Sequence, residues 1–258
     1  MNNYKNAIGY AIKMWIVGIF TTILPVIYYT ICYVLDFDGK YLNILLSISC
    51  LLGGFLAAYI MKKEHCIDIK EYFRKPDLKI FVLVIATALF YALTVMYVVY
   101  SPTLKGNPEI DILTVASLVF KAIANPIGEE LIYRFGMLTV LLIAAKNSRF
   151  KIMFSFIIVS VIWMGMHFSA YVPRCLEIIF VGVMIGTIYL KSKNLIYCIF
   201  FHIVVNVVSF AYAASYSWFL EREYILYISI PLFLFLAITL SNHLGKFECK
   251  KFAFATEH

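Results

Sequence analysis

Six residues in the second half of the chain have the types and spacing to do chemistry: Glu129, Glu130 and Arg134, then His167, then His202 and Asn206. All six lie in otherwise apolar surroundings. The first three stand in N-P-I-G-E-E-L-I-Y-R-F (125–135), His167 stands in the middle of W-M-G-M-H-F-S-A-Y, and the last two stand in F-F-H-I-V-V-N-V-V-S. An ionisable side chain at the centre of a membrane helix costs about 2.5–3.5 kcal/mol on insertion scales, so each needs a reason. Glu130 and Arg134 are four residues apart, Glu first, the favourable order for pairing on a helix. Glu129 is turned about 100° away and has no cation at helical spacing. One carboxylate therefore reads as structural and the other as available. His202 and Asn206 are also four apart and face one cavity. A free carboxylate, two imidazoles and an amide on separate helices are the parts of a hydrolytic site: a base, its partner, and donors for an oxyanion.

Each piece also has a plainer reading. A histidine in a span often makes one interhelical hydrogen bond, a His/Asn pair can be packing glue, and a Glu/Arg pair can lock two helices together. Together the pieces are harder to dismiss.

The elements that position them are membrane helices. Of 258 residues, 63% are hydrophobic and 14% charged, against about 25% charged in a soluble domain. This composition points to an all-α polytopic membrane protein and argues against a transmembrane β-barrel, since the apolar runs are long and do not alternate. Spans are expected near 14–35, 42–61, 79–100, 112–145, 152–170, 175–190, 195–214 and 224–244. Eight crossings put both termini in the cytoplasm. Of the 22 basic residues, Lys121 and Arg134 lie inside the fourth segment and Lys40, Lys105, Arg174 and Arg222 fall outside. The rest are inside, as the positive-inside rule prefers. The net charge of +7 is explained by that asymmetry, and no nucleic-acid partner is implied. Lys5 and Lys13 lead into an apolar run too long for a cleavable signal peptide. The scattered cysteines, Cys32, Cys50, Cys66, Cys175, Cys198 and Cys249, form no C-x-x-C pair and read as small apolar residues.

The fourth segment, about 50 Å if wholly helical, is too long for one simple span. Asn125-Pro126 predicts a break or kink within it, with Asn125 as cap of a second part. The polar stretch 62–79 reads as a cytoplasmic surface helix without chemistry. Gly128, Gly136, Gly165, Gly182 and Gly186 read as close-packing positions that also permit a narrow cleft. Counting about 1.5 Å per residue from the cytoplasmic helix ends, Glu129 and His167 lie about 22–24 Å deep, Asn206 about 16 Å and His202 about 10 Å. His202 is too shallow for a shared site, so either the seventh span starts earlier or the site runs along a cleft. The chain reads as a single membrane domain, 1–258, with the motif-bearing core at about 112–214 and accessory helices in 1–111.

The series E-E-L-I-Y-R (129–134), W-M-G-M-H (163–167) and H-I-V-V-N (202–206) resembles the CPBP intramembrane proteases, the CAAX prenyl-protein endopeptidases and bacteriocin-processing or self-immunity proteins also called the ABI family. The resemblance covers about 112–214. Trp163 stands where the family more often has phenylalanine. What the resemblance implies is an intramembrane endopeptidase acting on a membrane-associated or lipid-linked peptide or protein. Glu129 and His167 would activate water, His202 and Asn206 would hold the oxyanion, and Glu130 and Arg134 would support the site. A bacterial plasma-membrane location is expected. The family is often called metalloprotease, and Glu129, His167 and His202 would be the zinc ligands of a divalent-metal version. With no H-E-x-x-H, and an asparagine better suited to an oxyanion than to zinc, the residues favour direct water activation. Two other readings stand beside it: a non-catalytic immunity or regulatory partner, and a proton-coupled transporter, against which the hydropathy shows no paired halves. Substrate and oligomeric state are not legible.

Overall fold

The computed structural model describes residues 4–35, 41–96, 112–146, 148–167, 172–214, 222 and 224–246. Lys40, Lys105, Cys249, Lys250 and Lys251 lie outside these, as do 97–100 and 168–170 of the expected third and fifth spans. The fold is all-helical, with no strand among the described residues. The helices are α1 (Tyr4–Leu35), α2 (Leu42–His65), a 3-10 turn (Ile69–Tyr72), α3 (Leu78–Val95), α4 (Ile112–Glu129), a π-helical segment (Glu130–Leu138), α5 (Thr139–Ala145), α6 (Arg149–Gly165), α7 (Val172–Ser192), α8 (Leu195–Ala214) and α9 (Tyr224–Lys246). Six of them, α1, α2, α3, α7, α8 and α9, are long and apolar enough to cross a membrane. The remaining two expected spans are α6, of 17 residues, and the composite fourth segment. This is a multi-pass membrane protein. Its outer surface carries bare apolar side chains such as Phe20, Phe55 and Phe235, which suits lipid contact.

The fourth segment occupies 112–145, as the hydropathy requires, but its irregularity is not where the proline suggests. The helix continues through Pro126, and Asn125 caps nothing. Regular α geometry gives way at Glu130, where nine residues wind as a π-helix before α5 resumes. The Thr139 N–H donates to the Arg134 carbonyl, five residues back, and so does its hydroxyl, at 3.0 Å. Proline inside a helix removes one donor, which a continuous helix can tolerate when neighbours pack around it. All nine π residues are buried, and the segment packs against α1, α2, α6, α7 and α8. It is the axial strand of the bundle.

The polar stretch 62–79 is not a surface helix. Residues 62–65 finish α2, which Cys66 closes in a left-handed conformation. The rest forms the short 3-10 turn and an extended run to Asp77, whose carboxylate accepts the Ile80 N–H to cap α3. Ile67 and Tyr72 are buried in the main core. Burial beside Glu71 pushes the Tyr72 phenol up to about 12. A helix would have carried these two anchors away from the core; the irregular strap lays both into it.

Four of the five glycines are packing positions. A Cβ on Gly128 would collide with the Cys50 carbonyl oxygen, so α4 and α2 touch backbone to backbone there. Gly182 meets Ser160 and Trp163, Gly186 meets Phe156, and Gly136 meets Met14. Gly165 has nothing within 4 Å.

Candidate active site

Glu129 ends α4 just where the helix changes pitch. The Gly128–Cys50 contact fixes that point against α2. Its carboxylate lines a cavity of about 550 Å³ together with His167, His202 and Asn206. The side chain is 17% exposed. Glu130, the next residue, is fully buried and absent from the cavity lining. The two carboxylates thus have the different surroundings that their spacing implies.

Glu130 holds two partners. Arg134 Nε stands 3.2 Å from Oε2, an ion pair outside hydrogen-bond geometry. His202 Nδ1 stands 3.0 Å from Oε1. The Arg134 guanidinium is buried, donates from Nη2 to the Gly182 carbonyl at 3.4 Å, and lies 4.6 Å over the Trp163 ring. A charge in such a place is stabilised by the carboxylate and by the indole face together.

His202 turns Nε2 toward the other carboxylate, 3.9 Å from Glu129 Oε2. It is therefore level with the glutamates, despite its shallow count from the helix end. The start of α8 at Leu195 is as expected. That start is itself buried: Leu195 is fully covered, and Asn194, nearly so, donates from Nδ2 to the Arg74 carbonyl. The Tyr197 hydroxyl accepts the Asp77 N–H. The strap 66–77 covers the turn into α8, so a count from that end begins well below the surface.

His167 lies in the turn after α6 and points Nδ1 at the Trp163 carbonyl, 2.9 Å away. With Nδ1–H donated there, Nε2 is left as the acceptor. The Trp163 indole N–H donates to Glu129 Oε2 at 2.5 Å. Asn206 lines the cavity one turn beyond His202.

Three further charged residues line the cavity. The charge count puts Arg174 in an outside loop and gives Glu177 no role. The structure corrects both: α7 begins at Val172, Arg174 is in its first turn, and it pairs with Glu177. The Tyr91 hydroxyl donates to Glu177 at 3.4 Å. The signal was present, since a glutamate inside an apolar run deserves the same question as Glu129. Lys121, two turns before Glu129, also lines the cavity and donates to Asn43 Oδ1 at 3.2 Å.

Among the described residues no three histidine, cysteine or acidic side chains stand close enough together to form a metal-ligand cluster. Glu129 Oε2 is engaged by the indole N–H and His202 Nδ1 by Glu130. Those contacts leave Glu129 Oε1 and His202 Nε2 for other partners, so the side chains a zinc set would use are the ones that line the pocket: a carboxylate and two imidazoles, with an amide beside them.

Residues 111–208 match the family model of the Type II CAAX prenyl endopeptidase Rce1-like proteins. The match spans all six residues of the opening argument. Neither the curated proteins nor the solved structures give a match to the chain.

Proposed function

We propose, from the match of residues 111–208 to the CAAX endopeptidase family model, that this chain is an intramembrane endopeptidase in which Glu129 and His167 activate water. The observation that carries the reading is the single cavity shared by Glu129, His167, His202 and Asn206, contributed by α4, the turn after α6, and α8.

The steps follow from the side chains. A water beside Glu129 gives a proton to the carboxylate or to His167 Nε2, and its oxygen attacks the peptide carbonyl carbon. The carbonyl π electrons move to oxygen. Asn206 Nδ2–H donates to that oxyanion, and so does Nε2–H of a His202 that carries both ring protons, its Nδ1–H held by Glu130, in a setting where water is scarce and each donor counts for more. The proton taken from water then passes to the leaving nitrogen as the C–N bond breaks, giving one carboxylic acid and one amine. Glu130 and Arg134 touch no reacting atom; they hold His202 and Trp163 in place. Apolar lining from Leu46, Val181 and Phe210 suits a membrane-associated or lipid-linked peptide in a lipid bilayer. A bacterial plasma membrane and a bacteriocin or prenylated substrate belong to this proposal alike.

The test is cleavage of candidate membrane peptides by the purified full chain in detergent. Wild type cleaves and Glu129→Gln does not; equal rates would remove Glu129 from the role of base. A chelator leaves the wild-type rate unchanged. Loss on chelation, restored by zinc, would transfer the reaction to metal chemistry.

A further inference from the structure

Trp163 touches four of the site's charged or imidazole side chains: Glu129, His167, His202 and Arg134. Its N–H meets Glu129 Oε2. Its ring lies edge-on to His167, with centroids 5.0 Å apart at 88°, and to His202, 5.3 Å apart at 86°. Arg134 lies over it. Its own carbonyl holds His167 Nδ1. The indole is nearly fully buried and backed by Gly182, where a Cβ would crowd its Cε3 at 3.2 Å. It cannot swing without displacing α7.

We infer that Trp163 is a positioning residue that holds one oxygen of Glu129 through its indole N–H and so aims the other at water. The inference rests on the proposed role of Glu129. It goes beyond packing because a phenyl ring, the commoner residue in the resembling family, fills most of the same space and has no N–H. A carboxylate with two equivalent oxygens and a rotatable end needs one oxygen fixed to present the other in a single direction. Among the described residues only this donor is close enough: His202 Nε2 is 3.9 Å from the same oxygen, beyond hydrogen-bond reach.

The geometry is tested first without turnover. In ¹⁵N-tryptophan-labelled full chain the indole N–H of Trp163, assigned by its loss in Trp163→Phe, shifts when Glu129 is changed to Gln. An unmoved resonance overturns the inference whether or not the chain is a protease. The second measurement is peptide cleavage. Trp163→Phe lowers kcat on the order of 100-fold, as misplaced reacting groups do, with KM within about twofold. Unchanged kcat, or a rise in KM alone, overturns it. Should the phenylalanine variant fail to fold, benzothienylalanine at 163 keeps the indole shape and removes only the N–H; it must show the same fall in kcat. If wild-type protein cleaves nothing while the resonance shifts, the contact stands and the protease reading fails.

Discussion

The π-helical segment and α9 are both apolar helices preceded or interrupted by a proline, yet they live in opposite settings. All nine residues of Glu130–Leu138 are buried. The spanning window of α9, with Pro231 inside, is 11% buried. Proline does not separate them, since each has one inside it or just before it. Charge does: Glu130 and Arg134 stand in one, while the spanning run of α9 carries none. In a membrane protein the apolar side chain is at home on either surface, so intramembrane charge is the better guide to what lies inside.

Five substitutions break or sharpen that contrast. Glu129→Gln, at the head of the π segment, is expected to lower peptide cleavage by about 10²–10⁴-fold, the usual worth of a general base, while the folded yield in detergent is retained. Arg134→Met leaves Glu130 fully buried with His202 as its remaining partner, at a cost of about 3–5 kcal/mol; the apparent unfolding midpoint of the purified protein reports it. Gly128→Val drives a side chain into the Cys50 carbonyl and should cost about 1–3 kcal/mol by overpacking, whereas Gly165→Ala, with open space around it, leaves the midpoint in place. Phe235→Leu on the bare face of α9 changes stability by less than about 0.5 kcal/mol. A large effect from Phe235 and none from Arg134 would reverse the comparison.

The positions of the helices were legible because long apolar runs announce themselves: α8 and the fourth segment end where hydropathy places them. The π winding was not. Its polar residues Glu130 and Arg134 are four apart, a spacing that an ordinary α-helix also satisfies, so the pattern carries no information about the wider winding. The strap 66–77 was misread as a helix because its two apolar anchors, Ile67 and Tyr72, are too few and too far apart to reveal a path into the core. The pairing of Glu130 with Arg134 followed from spacing alone. Its contact with His202, and the indole N–H on Glu129, join elements far apart in sequence, and no local pattern records them. The Trp163 departure from phenylalanine was visible, but only the fold gives its nitrogen something to hold.

The covered turn before α8 carries a practical lesson for anyone wishing to shorten this chain. Asn194 and Tyr197 are moored to main-chain atoms of Arg74 and Asp77, and α4 leans on α2 at a point where Gly128 has no room for a side chain. A truncated chain opening at residue 112 would keep every motif yet leave the footing of α8 adrift, and with it the height at which His202 and Asn206 meet the glutamates.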